Sequence, residues 1–523
     1  MSNKSNHTLN SKNTSNHTIP VRIEFIKELM KDKDLKPMVN FDNTETENFM
    51  GLVKDDNGFE DTPDSNDTRS ILNKKKFNLG KIINQIGGRL EYIKSGTTGH
   101  TFKGIIMEDG HEINYAVKVV AYPKKDKYGD IYDTSRPENA ELMMIRLLSY
   151  FVAKNRTPHI VLPICTFNTS ITHFVTLIDD NVVDAKDPDG CGKDSKYADF
   201  VEKYKNGEFY DDVSILISEW ANKGDFLDFM RKRYKNFELE HWKVFFFQII
   251  SVLAIIQSKF PSFRHNDLKA NNILIHKTES QTIFHAYKIC DKHFYVPNIG
   301  YQLKLWDFDF SCIPGIVDNA KVSSDWTKLI NVTPHENKYY DMHYFFNTLI
   351  KKGFLPQILT DECVPREVKD FIGRIVPERF RQGRNVHKRG RILINDEYLT
   401  PWEVLCKDKF FAEFSDPSFK TKMLNEYASV KPSAKSTTNN KKNFVNETNK
   451  TNVKSFLNNT NLVNNTNKIK TNVNKIPIDN IVKKTNNMVK KTNNTANTVK
   501  TSKRKTKSKY NIEDVKLEDL LDD

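Results

Sequence analysis

The chain has 523 residues, enough for one large domain with tails or for several domains. Its six cysteines are scattered without CxxC or metal-ligand spacing, which argues against a disulfide framework and fits reduced thiols in a cytosolic compartment. The net charge of +13 is not spread evenly: residues 431–523 hold 20 Lys and Arg against 8 Asp and Glu, net +12, and leave a body of net +1.

The first stretch, "MSNKSNHTLNSKNTSNH", is polar and has no secretory apolar run. Residues 1–79 are expected to form a disordered N-terminal region, rich in Asn, Ser and Thr to about 20 and acidic over 41–67. Periodic apolar patterning runs from near Phe77 to about Phe414 and sets a folded body over 80–420. Two polar inserts, about 178–212 and 277–300, interrupt it and read as loops or small appended elements. Within the first, "DAKDPDGCGKD" lacks both end carboxylates of a calcium loop and reads as a polar loop. The most apolar run, "VFFFQIISVLAII" over 244–256, is 13 residues, short for a bilayer and suited to a buried helix, so no transmembrane segment is expected. Residues 421–523 read as a disordered Asn/Lys-rich tail. Within it 431–510 carries +17 and the last thirteen residues −5. "KRKTKSK" (503–509) is either a solvated basic tail, the commoner case, or a nuclear address or polyanion contact.

The chemistry is concentrated in the body. "IKSGTTGHTFKG" (93–104) places Gly96 and Gly99 between strand-like flanks, where glycine lets backbone N–H groups approach phosphate. A plain Gly-rich hairpin has the same look. "NYAVKVVAY" then sets Lys118 in an apolar strand, where an inward lysine needs a partner and a snorkelling one does not. In the helical "PENAELMMIRLLSYF", Glu141 shares a face with Ile145 and Leu148 and could be that partner. "FRHNDLKANNILIH" puts Asp267, Lys269 and Asn272 between a buried helix and a short strand, and "YQLKLWDFDFSC" ends a second strand at Asp307. Phosphoryl transfer needs one carboxylate to orient the attacking hydroxyl, and a carboxylate and an amide oxygen to hold magnesium. Asp267, Asp307 and Asn272 suit those roles. The alternative for the loop alone is a capped helix followed by a turn.

The order of these motifs resembles the eukaryotic-type protein kinases, over roughly residues 80–420. The resemblance implies an α+β, two-lobed protein-kinase fold: a small antiparallel-sheet lobe (80–220) and a larger, mainly helical lobe (221–420), with ATP and Mg2+ (or Mn2+) between them. It makes Lys118, oriented by Glu141, the ligand of the α/β-phosphates, and makes Asp267 and Lys269 catalytic. Asn272 and Asp307 would hold the metal. "ILISEWANKGDFLDFM" (215–230) resembles the interlobe hinge. It would supply Ser218 as gatekeeper, Glu219 to Ala221 beside the adenine and Asp225 near the ribose. Asp341 resembles the aspartate that braces the catalytic loop, and "LTPWEVLCKDKFFAEF" (399–414) the closing helices. Lys269 matches the serine/threonine branch, which implies a protein hydroxyl as substrate.

Three positions and one missing motif depart from the pattern. Lys94 stands where the first loop glycine is usual, Asn266 replaces the arginine before the catalytic aspartate, and Asp309 replaces the glycine of Asp-Phe-Gly. No Ala-Pro-Glu lies between Asp307 and Asp341. These departures keep two rivals open: a pseudokinase scaffold or virion component, and a small-molecule kinase of the same superfamily. Asp-Phe-Asp and the Asn/Lys-rich tail resemble the kinases of large DNA viruses, of poxvirus and amoebal giant-virus type. That resemblance implies a cytoplasmic or virion setting, with a nuclear one left open.

Overall fold

This computed structural model describes residues 17–42 and 67–430, apart from 109, 181, 184–194, 280–281, 323 and 397. In chain order its main elements are α1 (Ile19–Met30), α2 (Leu79–Ile86), β1 (Arg89–Ser95), β2 (His100–Glu108), β3 (His111–Pro123), α3 (Pro137–Ala153), β4 (Pro163–Ser170), α4 (Ser195–Lys205), β5 (Phe209–Glu219), α5 (Phe226–Arg233) and α6 (Leu239–Lys259). Then come β6 (Ile273–Lys277), β7 (Phe284–Ile289), β8 (Lys292–Pro297), β9 (Tyr301–Leu305), α7 (Tyr340–Leu349), α8 (Arg366–Ile375), α9 (Pro401–Lys407) and α10 (Pro417–Val430).

The first five strands form one antiparallel sheet in the order β1-β2-β3-β5-β4. β3 lies at its centre with Tyr115, Val117, Val119 and Tyr122 fully buried, which explains its nearly unbroken apolar sequence. Lys118 lies in the same strand, opposite Thr101 of β2 and Leu216 of β5. α3 is buried along most of its length and packs on β4.

The other half of the core forms around α6. Phe245, Phe246 and Phe247 are consecutive and all wholly buried, so this helix is enclosed on every side rather than amphipathic. It packs on α8, α9 and β9. At 21 residues it outruns the apolar stretch seen in the sequence. Among the described residues it is the one helix long and apolar enough to cross a membrane, and it is the core helix of this part of the molecule. Backbone seams tie the sheet region to the part around α6. The Leu305 N–H donates to the His159 carbonyl at 2.9 Å, and the Ile275 N–H to the Gly224 carbonyl at 2.9 Å. β6 and β9 pair with Ile273 opposite Leu305, which sets the residues just before β6 beside those just after β9.

Two sequence expectations need correction. Residues 17–42 are not a disordered lead-in. α1 and the turn after it put Ile26, Leu29, Met30, Leu35, Met38, Val39 and Phe41 into the core. The polar surroundings of that stretch hide a short apolar set that needs tertiary partners. The expected tail is also not disordered from 421, since α10 runs to Val430. The insert at 178–212 contains an appended element, as expected. Its residues Ser195–Lys205 form α4, whose Tyr197 and Phe200 rings lie 4.5 Å from the His100 ring at the start of β2. The insert at 277–300 forms the β7–β8 hairpin, an appended element as expected. The acidic segment 43–66, the calcium-like stretch and the tail 431–523 lie outside the described residues.

Candidate active site

β3, α3, the loop after α6 and the end of β9 bring their polar residues to one place. Lys118 Nζ lies 2.6 Å from Glu141 Oε1 and 2.8 Å from Asp307 Oδ1. Burial works against the lysine's charge, but Asp307 and Glu141 hold its pKa above the ordinary lysine range. Burial also works against Asp307, yet Lys118 keeps that carboxyl low, at about 2. Glu141 is buried more completely than Asp307, and burial pushes it up, to about 7. A single ammonium thus links the sheet, α3 and the segment after β9.

The loop from Arg264 to Asn272 is braced from beneath. Asp341, at the start of α7, accepts the backbone N–H of His265 at 2.7 Å and that of Asn266 at 2.9 Å. His265 Nε2 contacts the Trp306 carbonyl at 3.0 Å, and the Trp306 N–H donates to the Asn272 carbonyl at 3.2 Å. Asn266 and Asp307 both take left-handed backbone angles, φ 63° and 61°. Asn and Asp tolerate that region better than most residues, and such angles gather at functional sites. The substitution at Asp309 needs no such tolerance, since the left-handed residue of this segment is Asp307. Asp309 instead forms an ion pair with Lys321.

Asp267 has both carboxylate oxygens engaged. Oδ1 pairs with the Arg391 guanidinium. Oδ2 accepts from Asn272 Nδ2 at 2.9 Å, and Lys269 Nζ stands 3.4 Å from it. Asn272 Nδ2 also donates to the Asp267 carbonyl at 2.9 Å. With the amide nitrogen used this way, the Asn272 side-chain oxygen is the end available to a cation. Asp307 is only part-buried and keeps an oxygen that Lys118 does not take. Two hard oxygens on adjoining backbone fit magnesium rather than a softer metal.

The remaining candidates take up different positions. The Gly96 N–H donates to the Gly99 carbonyl at 2.8 Å, closing the turn between β1 and β2. Gly99 is sterically required, because a Cβ there would stand 2.9 Å from the Val119 carbonyl oxygen, whereas one at Gly96 would make only ordinary contact, 3.6 Å from the Gly99 carbonyl oxygen. Asp225 caps α5 by accepting the Asp228 N–H at 2.9 Å, and Lys94 Nζ approaches its other oxygen at 3.9 Å. Lys94 therefore links the Gly-rich turn to Asp225. Ser218 and Ala221 are buried beside the end of β5. The Glu219 carboxylate is bound within the protein: Arg22 contacts it at 2.9 and 2.5 Å, Lys304 at 2.8 Å, and the Leu162 N–H at 2.8 Å. Only the backbone of Glu219 can face a nucleotide.

The sequence of this body has recognisable relatives. The family described as poxvirus serine/threonine protein kinase matches residues 109–392. The chain belongs to that family. R400 of Acanthamoeba polyphaga mimivirus, whose name assigns it provisionally to the serine/threonine-protein kinases, is 48% identical over 398 residues, 75% of this chain and 80% of the relative. A second mimivirus protein, R301, named in the same provisional way, is 28% identical over 270 residues, 47% of this chain and 66% of the relative. Serine/threonine-protein kinase 2 of vaccinia virus (strain L-IVP) is 34% identical over 131 residues, 24% of this chain and 29% of the relative. These relatives are viral proteins named as kinases, as the resemblance implied.

For a member of this kinase family, the sequence reading missed two sets of contacts. Arg391 lies 124 residues from Asp267 and in no recognisable motif, so only the fold reveals the pair. Arg22 lies 197 residues from Glu219, before the matched region. It has a buried companion in Lys304, which burial and the Arg22 charge push down to about 7. Glu219 is held at about 2 in spite of burial by Arg22 and Lys304. Two cations share one carboxylate, and the guanidinium, with two contacts, takes the larger part of it.

Proposed function

We propose that this chain is an ATP-dependent serine/threonine protein kinase with a two-lobed fold, the lobes being 80–220 and 221–420. The observation that carries this reading is the junction of Lys118, Glu141, Asp307, Asn272 and Asp267 drawn from four separate segments. Lys118 would hold the α/β-phosphates while Glu141 fixes its position. Asn272 and Asp307 would hold Mg2+ or Mn2+, which would neutralise charge on the phosphates. Asp267 would orient the hydroxyl. Phosphoryl transfer through a loose transition state asks mainly for positioning, so a carboxylate already engaged by Arg391 and Asn272 suits the task. Gly96, Gly99, the hinge backbone at Glu219 and Ala221, and Asp225 would line the nucleotide.

The family and its intact charge set favour an enzyme over a scaffold. A cytoplasmic or virion setting follows from the viral relatives as part of the same proposal, as does polyanion contact through the basic tail. The test is transfer of labelled γ-phosphate by purified protein to generic acidic and basic protein substrates, with phosphoamino-acid analysis. Phosphoserine or phosphothreonine, dependent on a divalent metal, is expected. No transfer to any protein, with ATP affinity indifferent to metal, would overturn the reading.

A further inference from the structure

The turn between β1 and β2 is gripped from the face of the sheet that lies away from Lys118. Along these strands Tyr92 stands opposite Phe102, Lys94 opposite Thr101 and Ser95 opposite His100, with Ile93 as an extra residue. Thr101 is in turn opposite Lys118 of β3. Cross-strand partners share a face, and successive residues alternate between faces. Lys94, Thr101 and Lys118 therefore lie on the face of the candidate site. Tyr92, Ser95, His100 and Phe102 lie on the other. The extra residue in β1 is what brings Tyr92 and Ser95 to the same side.

On that outer face the side chains form a chain of contacts. Tyr92 Oη lies 2.7 Å from Ser95 Oγ, and Ser95 Oγ lies 2.7 Å from His100 Nδ1. His100 is buried, and burial lowers its pKa to about 3, so the ring is neutral and Nδ1 can accept the Ser95 hydroxyl. α4 covers this ring with Tyr197 and Phe200, each 4.5 Å from it. α4 is itself fastened: Tyr197 Oη donates to the Phe174 carbonyl at 2.8 Å, and its ring meets the Tyr92 ring at 5.5 Å. Ser95 and His100 flank the Gly96–Gly99 turn, so the inserted helix grips the base of that turn.

We propose that Ser95 and His100, clamped by α4, are positioning residues for the ATP triphosphate: they set the 96–99 backbone in its phosphate-binding form before the nucleotide arrives. The proposal rests on the kinase reading of this turn. Neither side chain touches the phosphates, since both point to the opposite face. Their effect is preorganisation: a turn already ordered spends no binding free energy on its own ordering. The nucleoside, held at the hinge, gains little from it.

The test uses the full chain and compares ATP with adenosine, which lacks the phosphates, by calorimetric titration with Mg2+ present. Ser95→Ala removes the central hydroxyl. His100→Phe keeps a ring against Tyr197 and Phe200 but removes the nitrogen. Each should weaken ATP about tenfold, the cost of ordering roughly one backbone residue, and leave adenosine within about twofold. Phe200→Leu, which loosens the cover of α4, should move the ratio of the two affinities the same way. Amide hydrogen exchange at 96–100 should quicken ahead of the rest of the sheet, and a thermal melt checks that the variants stay folded. A purely structural loss would weaken both ligands together. ATP binding without phosphoryl transfer to any protein, with the ratio shifted in the variants, would sink the kinase reading and uphold the clamp. A wild-type chain that binds no ATP, a parallel loss of ATP and adenosine, or a ratio unmoved in all three variants would overturn the proposal.

Discussion

Asp267 is held by Arg391, Asn272 and Lys269 on its two oxygens, so its geometry is fixed by this chain's own side chains. Asp267→Asn keeps an oxygen for Arg391 but removes its counter-charge in a buried site. Turnover should fall by roughly three orders of magnitude, with ATP affinity within about twofold, because the group acts on the hydroxyl and not on the nucleotide. Steady-state kinetics and calorimetric ATP titration check this, and a thermal melt separates it from misfolding. Wild-type turnover in the variant would remove Asp267 from its proposed role. At this scale the sequence was legible where spacing carries chemistry. Lys118 and Glu141 stand on successive elements, a strand and the helix after it, and Asp267 and Asn272 share one loop. It was illegible where charge meets charge across the fold, as at Arg391 and Arg22, because no local rule links residues that far apart.

Three elements gain their meaning from what they hold. α1 binds the end of β5 through Arg22, which also donates to the Pro158 and Ile160 carbonyls at 2.8 and 2.6 Å. Arg22→Met strands those acceptors but leaves Lys304 on Glu219, so the loss should lie near the lower end for a broken buried pair, about 3 kcal/mol by urea denaturation. A loss under about 0.5 kcal/mol would mean that α1 is not part of the folded body. The second element is the contact between β3 and the start of α3. There Lys74 is fully buried and donates to Tyr122 Oη, Asn139 Oδ1 and Ser214 Oγ at 2.6, 2.9 and 2.8 Å, all neutral oxygens. Burial lowers its pKa from 10.5 to about 7. Below about 7 both folded and unfolded chains hold the proton, and the cost of burying the charge is complete. Between about 7 and 10.5 only the unfolded chain holds it, so stability should rise with pH. Denaturation midpoints at pH 7 and pH 9 should show this rise, and Lys74→Met should reduce it. The third is the segment between Asp307 and Asp341. In place of an arginine awaiting a phosphate, Asn266 Nδ2 donates to the Phe310 carbonyl at 3.0 Å. Arg264 is buried and spent on Thr333 and on the Asn331 and His335 carbonyls. Thr327 is buried, with its hydroxyl on the Ser324 carbonyl at 2.7 Å. Contacts within the chain do the bracing, so phosphatase treatment or alanine at Ser324 should leave most activity intact, and a large loss would show that a phosphate is needed.

At the scale of the whole molecule, the legible part of the fold was the part with period and order: the central strand, the buried helix and the loop that follows it. The illegible part was its context. Residues 17–42 carry their apolar side chains next to long polar stretches, and these join the core because α3, β4 and α2 present a surface to them. α4 lies between polar flanks for the same reason. Residues 379–394 read as a basic run until α7 and the loop 264–272 give them a position. Charge is the one whole-chain property that the sequence determines directly. The arm at 431–510, outside the described residues, carries 19 basic and 2 acidic residues. The body up to 430 has a net charge of +1, so attraction to nucleic acid or another polyanion should reside mainly in the arm. Such binding arises from counterion release and screened Coulomb attraction, and should weaken steeply between about 50 and 200 mM salt. The acidic tip "YNIEDVKLEDLLDD" opposes it and sets a second expectation: removing the tip alone should tighten polyanion binding. Truncation after Val430 should abolish heparin binding at low salt and leave turnover on a short peptide near that of the full chain. If the truncated protein binds heparin as strongly as the full chain, the attraction belongs to the body.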